Sequence, residues 1–336
     1  MKRILVTGGA GFIGAAFVRC QLRQYSDVHV VVLDKLTYSG NLDNLKEADS
    51  ARYTFVHGDI ADPDCVAPTM SGCDAVVNFA AESHVDRSLE GAADFINTNV
   101  AGVNVLLEEA LKQGLQRVLL VSTDEVYGSI ATGAFKEDAP VAPRNPYAAS
   151  KAAGELFGMA FHASHQLPVL ITRGSNTYGP YQYPEKVLPL FITNALDGHP
   201  MPLYGDGRNV RDWLYVDDHC NAIDLVLRQG EPGQIYNIAG GNERANIAVV
   251  HKLLELLEAP ETLLRYVKDR AGHDRRYAID AAKIHALGWT PQMTWEEGMA
   301  KTVNWYRENE WWWRKIKEGS FKEYYQRLYD PLLKEK

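Results

Sequence analysis

No apolar run in this chain approaches the roughly 20 residues needed to cross a bilayer, which argues against a membrane-spanning protein. Cysteine is scarce: Cys20, Cys65, Cys73 and Cys220 stand apart without any C-x-x-C spacing. Neither a disulfide framework nor a metal site is therefore expected, and the four read as small packing residues. Positive charge is short as well. Lys and Arg number 35 against 43 Asp and Glu, a formal net charge of −8 with no basic block. That weighs against nucleic acid as a partner and leaves a small anionic ligand to local charge. The first strand-like stretch, "RILVTG", begins at Arg3, leaving no room for a leader, so a cytoplasmic location is the expectation. Fixed-period repeats and low-complexity tracts are also missing.

What the chain does have is alternation. Its 336 residues are 46% apolar and 23% charged, more than one core usually serves. Short β-branched runs, "HVVVLD", "YTFVHGD", "DAVVNFA", "RVLLVS" and "LPVLITR", are separated by stretches of helical pattern such as 92–112 and 147–165. Strand and helix in alternation predict an α/β fold, a doubly wound parallel sheet of Rossmann type covered on both faces. That domain is expected over 1–174, with a later strand near 234–239 returning to its sheet. A smaller interleaved C-terminal lobe, rich in Pro and Gly, is expected over 175–315, and an aromatic, mixed-charge extension over 316–336 that packs on the lobe or lies loosely.

The first strand runs into "TGGAGFIG". Gly8, Gly11 and Gly14 let the backbone turn tightly and approach a pyrophosphate, whose charge would rest on the helix N-terminus at Phe12 and Ile13. Asp34, twenty residues after Gly14, ends the next strand, where a carboxylate can accept from both hydroxyls of an adenosine ribose. It would repel a 2′-phosphate, so NAD is favoured over NADP as the cofactor. Lys35 and Thr37 adjoin it. The next strand ends place Asp59 and Ile60 near an adenine, and Ala80 and Ala81 near the ribose and pyrophosphate. Each alone would be ordinary strand-end structure; together they trace a groove. His84 suits either a ligand contact or a capped loop.

"STDEVYG" sets Asp124 and Glu125 side by side where a buried strand runs out. Neighbours in a strand face opposite ways, so the two serve one cavity only if the backbone has begun to turn. The pair is then a loop accident or chemistry. "NPYAASK" puts Tyr147 and Lys151 at i, i+4 on one face of a helix that Asn145 caps and Pro146 starts. An ammonium near the phenol, together with a positive nicotinamide, would lower its pKa from roughly 10 toward neutrality and make it a base for a sugar hydroxyl. Thr123 can bond the same hydroxyl.

Together "TGGAGFIG", "AAESHVDRS", "STDEVYG", "PYAASKA", "NTYGPYQYPEK", "PLYGDGRNVRDW" and "DRAGHDRRYAID" resemble the extended short-chain dehydrogenase/reductase family, and within it the dTDP-glucose 4,6-dehydratases. The likeness runs from about residue 2 to about residue 312, and the adjacent Asp-Glu is its most specific element. It implies a lyase with tightly held NAD. Tyr147 would be the base for C4 oxidation, assisted by Thr123 and Lys151, with Asp124 the acid at the C6 hydroxyl and Glu125 the base at C5. It further implies that Ser83, His84, Asn176, Glu185, Lys186, Pro202, Tyr204, Arg211, Asn246, Arg270, His273 and Tyr277 surround a nucleotide-diphospho-hexose. Lys186, Arg211 and Arg270 would supply positive charge to its phosphates, or serve as surface ion-pair partners instead. A homodimer through 92–112 and 147–165 is implied too. Sugar-nucleotide epimerases and decarboxylases share the glycines and the Tyr-Lys pair but generally lack the acid pair; a catalytically silent NAD-binding regulator would need neither. The chain departs from the family pattern at Thr177, usually a second Asn, and at Gly174, usually a larger small residue.

Overall fold

The computed structural model describes residues 1–270 and 272–334. Six strands, β1 (Arg3–Thr7), β2 (His29–Asp34), β3 (Tyr53–His57), β4 (Ala75–Asn78), β5 (Arg117–Thr123) and β6 (Val169–Gly174), form one sheet with a seventh strand at Ile235–Ile238. The order is seventh, β6, β5, β4, β1, β2, β3, and every pairing is parallel. This is the doubly wound fold that the alternation predicts. Period-two geometry sorts the strand residues into two cores. Ile4, Val6, Val30, Val32, Val77 and Leu119 pack under helices α1 (Phe12–Gln24) and Val216–Gln229. Leu5, Val31, Leu33, Val76, Val118 and Leu120 pack under Pro63–Met70 and Val103–Gln113.

Besides a small cluster around Val126, Tyr127, Ala152 and Ile279, a third core gathers much of the C-terminal lobe. Tyr178, Phe191, Trp213, Val250 and Trp295 are joined there by Trp312, Trp313, Phe321, Tyr324 and Tyr329. The aromatic tail is therefore neither loose nor separate: it forms helices Glu310–Glu318 and Ser320–Lys334, whose rings are buried in this core. Burying such rings removes roughly 150–250 Å² each from water, enough to order a segment that lacks a sheet of its own. No described helix is long and apolar enough to cross a membrane.

One buried ion pair joins the layers. Arg173 on β6 donates two hydrogen bonds, 3.0 and 2.6 Å, to Glu155 of the Pro146–His165 helix, with its guanidinium 4.4 Å from the Tyr127 ring centroid. Glu155→Ala would leave that guanidinium buried and unpaired. The expected cost is about 3–5 kcal/mol, read as a lower urea midpoint at unchanged slope.

Candidate active site

The sheet has its switch point between β1 and β4, where connections leave in opposite directions and strand ends open a crevice. The loops after these two strands touch there. Gly8 sits at φ +66°, and a Cβ on it would fall 2.5 Å from the backbone N of Ala80; one on Gly14 would fall 2.2 Å from the Gly8 carbonyl oxygen. Only glycine permits this approach, and it leaves the first turn of α1 open to a ligand. Asp34, mostly buried, accepts from the backbone N–H groups of Ala10 at 2.9 Å and Leu36 at 2.8 Å. Burial still holds its carboxyl above the usual range. Lys35 pairs with Asp59 at 2.7 Å across the rim. A cavity lined by Gly8, Gly11, Asp34, Lys35, Thr37, Asp59, Ile60, Ala80 and Ala81 results.

Sequence reasoning missed several members of this wall. Ser39, Glu82 and Thr98 line it too. The 92–112 helix is not uniform: a π-helical segment, Asn97–Gly102, interrupts it between α-helical Ala93–Ile96 and Val103–Gln113. Asn99 in that segment clasps both backbone groups of Glu82, each at 2.9 Å, and fixes the loop after β4. A π segment has no simple periodicity signature, which is why the pattern concealed it.

At the other end, the turn after β5 brings the two acids together. β5 stops at Thr123, whose side chain accepts from the Glu125 N–H, and a 3₁₀ turn begins at Asp124. Both carboxyls therefore enter the same cavity, with Thr123, Tyr147, Lys151, Asn176, Glu185 and Lys186. Their surroundings differ. Asp124 is 3% exposed, with Oδ1 bonded to Thr123 at 3.2 Å and Oδ2 without a partner among the described residues. Burial, with the Glu125 carboxylate beside it, pushes the Asp124 carboxyl up to about 8. Glu125 has a donor: the Asn145 amide reaches it at 3.2 Å, and the Tyr277 hydroxyl, whose proton goes to Asp274, lies 3.4 Å away. Asn145 thus does two jobs, since its oxygen also caps the Pro146–His165 helix through the Ala148 N–H at 2.8 Å.

The expected lowering of the Tyr147 phenol needs the nicotinamide charge as well as Lys151, and Lys151 alone does not produce it. In the chain alone, burial and then Glu125 push it well above the ordinary tyrosine value, opposed by a hydrogen bond from Thr123. The Lys151 ammonium does not bond the phenol; it donates to the Val121 carbonyl at 2.7 Å, and burial lowers it to about 8. Desolvation outweighs the charge expected to offset it, because the ammonium that would supply that charge is turned to the Val121 carbonyl.

A second cavity opens from the acids toward the C-terminal lobe. Ser83, His84, Asn176, Glu185, Lys186, Pro202, Tyr204, Arg211, Asn246, Arg270 and His273 line it together. Tyr277 does not; it packs against Arg211, 4.2 Å from ring centroid to guanidinium, and donates to Asp274 at 2.8 Å. The three cations are not surface partners: Lys186 bonds the Ser83 carbonyl at 2.8 Å, Arg211 the Asp274 carbonyl at 2.9 Å, and Arg270 pairs with Asp86 at 3.1 Å. Arg211 is buried and Lys186 and Arg270 are half-buried, and guanidinium and ammonium groups that keep spare donors in such a place suit a diphosphate. Tyr329 from the tail also lines this cavity, against Tyr204, and Tyr324 stands 3.4 Å from His84. Nothing in the tail's sequence announced that; its aromatic density was the one available sign.

The family model described as GDP-mannose 4,6 dehydratase matches residues 5–302. A dTDP-glucose 4,6-dehydratase of Streptomyces niveus is 53% identical over 321 residues, 94% of this chain and 96% of that protein. This chain belongs to the dTDP-glucose 4,6-dehydratase family. The dTDP-glucose 4,6-dehydratase structure from Streptomyces venezuelae, with NAD and dTDP bound, superposes at a TM-score of 0.92 and 53% identity, covering 94% of this chain and 99% of that one. A UDP-glucose 4-epimerase from Thermus thermophilus, solved with NAD, shares the fold at a TM-score of 0.85 and 32% identity, covering 91% of this chain and 99% of that one. The dehydratase and the epimerase thus share one scaffold with this chain.

Proposed function

We propose that this chain is an NAD-dependent hydro-lyase that converts dTDP-glucose to its 4-keto-6-deoxy sugar, a step of deoxysugar biosynthesis. The observation that carries the reading is the unlike pair Asp124 and Glu125 in one cavity with Tyr147. Once C4 is a ketone the C5 proton is acidic, and loss of water across C5 and C6 needs one group to take a proton and another to give one. Burial keeps Asp124 supplied with its proton near neutral pH, while Glu125, held by the Asn145 amide, is placed to accept one. Tyr147 takes the C4 hydroxyl proton, with Thr123 orienting that hydroxyl. The glycine loop, Asp34 and Lys151 fit NAD, and three residues lining the cavity, Ser122, Asp124 and His219, each carry a buried polar atom, Oγ, Oδ2 and Nε2, without a partner among the described residues. When bound, NAD supplies the acceptor for the C4 hydride and returns it to C6. Lys186, Arg211 and Arg270 hold the diphosphate, and Tyr204 with Pro202 and Asn246 receives the base.

We divide the chain into an NAD domain over 1–174 with the Ile235–Ile238 strand, a nucleotide-sugar lobe over 175–315, and the tail, and we place it in the cytoplasm. A homodimer through the Ala93–Gln113 and Pro146–His165 segments is supported by Ile96, Leu156 and Phe157. These are exposed on those helices at 58%, 60% and 42%, an apolar face that association would cover.

Isotope transfer tests the whole cycle. Substrate deuterated at C4 is expected to give product with deuterium at C6, a mass loss of one water, and solvent hydrogen at C5, read by proton NMR. Deuterium returned to C4 without water loss would make the chain an epimerase. No movement of label across dTDP-, UDP-, CDP- and GDP-hexoses would make it a silent NAD-binding regulator.

A further inference from the structure

The two positions at which the chain departs from its family pattern meet at one ring. His219, in the first turn of the Val216–Gln229 helix, is 2% exposed and lines the cavity that holds Tyr147, Lys151, Gly174 and Thr177. Its Nδ1 lies 2.8 Å from Thr177 Oγ1. That hydroxyl donates to the Ser175 carbonyl at 3.2 Å, so its lone pair is left to accept from Nδ1–H. The tautomer follows: Nε2 carries the lone pair, and it has no partner among the described residues. Burial alone lowers the imidazole to about 4, which keeps the ring neutral. Gly174 makes the arrangement possible, because a Cβ there would lie 2.6 Å from Nε2 and drive the ring away.

A buried acceptor without a donor costs stability in the chain alone, and a ligand that brings a donor recovers it. The Gly174–Thr177 segment follows the end of β6, next to the end of β5 at Thr123. It lies at the strand end that carries Thr123, Asp124 and Glu125, in the cavity they share with Tyr147. The nicotinamide must lie at that end for hydride to reach C4 of a sugar whose hydroxyl meets Tyr147. Its carboxamide carries the N–H donors available there.

We propose that His219 is part of the cofactor site, its Nε2 accepting a hydrogen bond from the carboxamide N–H of bound nicotinamide, with Thr177 fixing the tautomer and Gly174 supplying the room. This rests on the NAD reading above. The test compares NAD with ADP-ribose, which lacks the nicotinamide, by calorimetry on the full chain freed of nucleotide. His219→Ala is expected to weaken NAD about 3- to 10-fold, the range for one neutral hydrogen bond, and to leave ADP-ribose binding unchanged. Gly174→Ala, by displacing the ring, and Thr177→Val, by freeing the tautomer, are expected to weaken NAD alone in the same way, and they carry the test if His219→Ala does not fold. Equal weakening of both ligands in all three variants would make the trio merely structural and overturn the proposal. So would unchanged NAD affinity. A wild-type chain that binds neither ligand would overturn the NAD reading itself, a result distinct from either.

Discussion

Tyr147→Phe is expected to lose turnover by about 10²–10⁴-fold, the usual contribution of a positioned general base, while still folding and binding NAD. The ring is half-buried and meets Phe95 edge-on at 6.4 Å between centroids, so phenylalanine fills the same space and only the hydroxyl is lost. The chain by itself gives the phenolate no help: burial and Glu125 both oppose it, and Lys151 is held by the Val121 carbonyl. The positive charge needed to lower the phenol therefore has to come with the bound cofactor. Stopped-flow absorbance of the reduced cofactor should show no C4 oxidation in this variant. Normal oxidation with normal turnover would remove Tyr147 from the role.

Asp124→Asn separates the second half of the reaction from the first. The amide keeps the size of the carboxyl but cannot deliver a proton to the departing C6 hydroxyl, so elimination is expected to slow by about 10²–10⁴-fold while C4 oxidation continues. Reduced cofactor should then accumulate during turnover. The sign of the pH dependence follows from the same group. A carboxyl raised to about 8 is protonated below that pH and loses its proton above it, so wild-type elimination should fall as pH rises through about 8. The variant should lack that falling limb, and its persistence would assign the limb to another group. Glu125→Gln should also accumulate reduced cofactor, and in heavy water it should lose deuterium incorporation at C5.

Much of the architecture was legible because it is written in local chemistry. β-branched runs and glycines specify strands and the turn after β1 wherever the chain goes later, and the acid pair and the Tyr-Lys spacing are readable from a few contiguous residues. The lowered phenol was legible only in part. It needs a bound nicotinamide as well as Lys151, and in the chain alone the ammonium turns to a carbonyl on β5. Asn99 escaped because a π-helical segment looks like any other helix in sequence, and Tyr329 because its partner Tyr204 lies more than a hundred residues away.

By itself, the sequence determined the strand order of chemistry: which segments become strands, where glycine must stand, and which acids, phenol and ammonium are available. Tertiary structure alone decided their protonation and their neighbours. The Asp124 carboxyl is raised to about 8 by burial and by the Glu125 carboxylate beside it, His219 becomes an acceptor without a partner among the described residues where Gly174 and Thr177 meet it from another strand end, and the tail becomes a cavity wall because its rings find the third core. Desolvation and hydrogen bonding depend on what surrounds a group in space, and spacing along the chain carries no record of that.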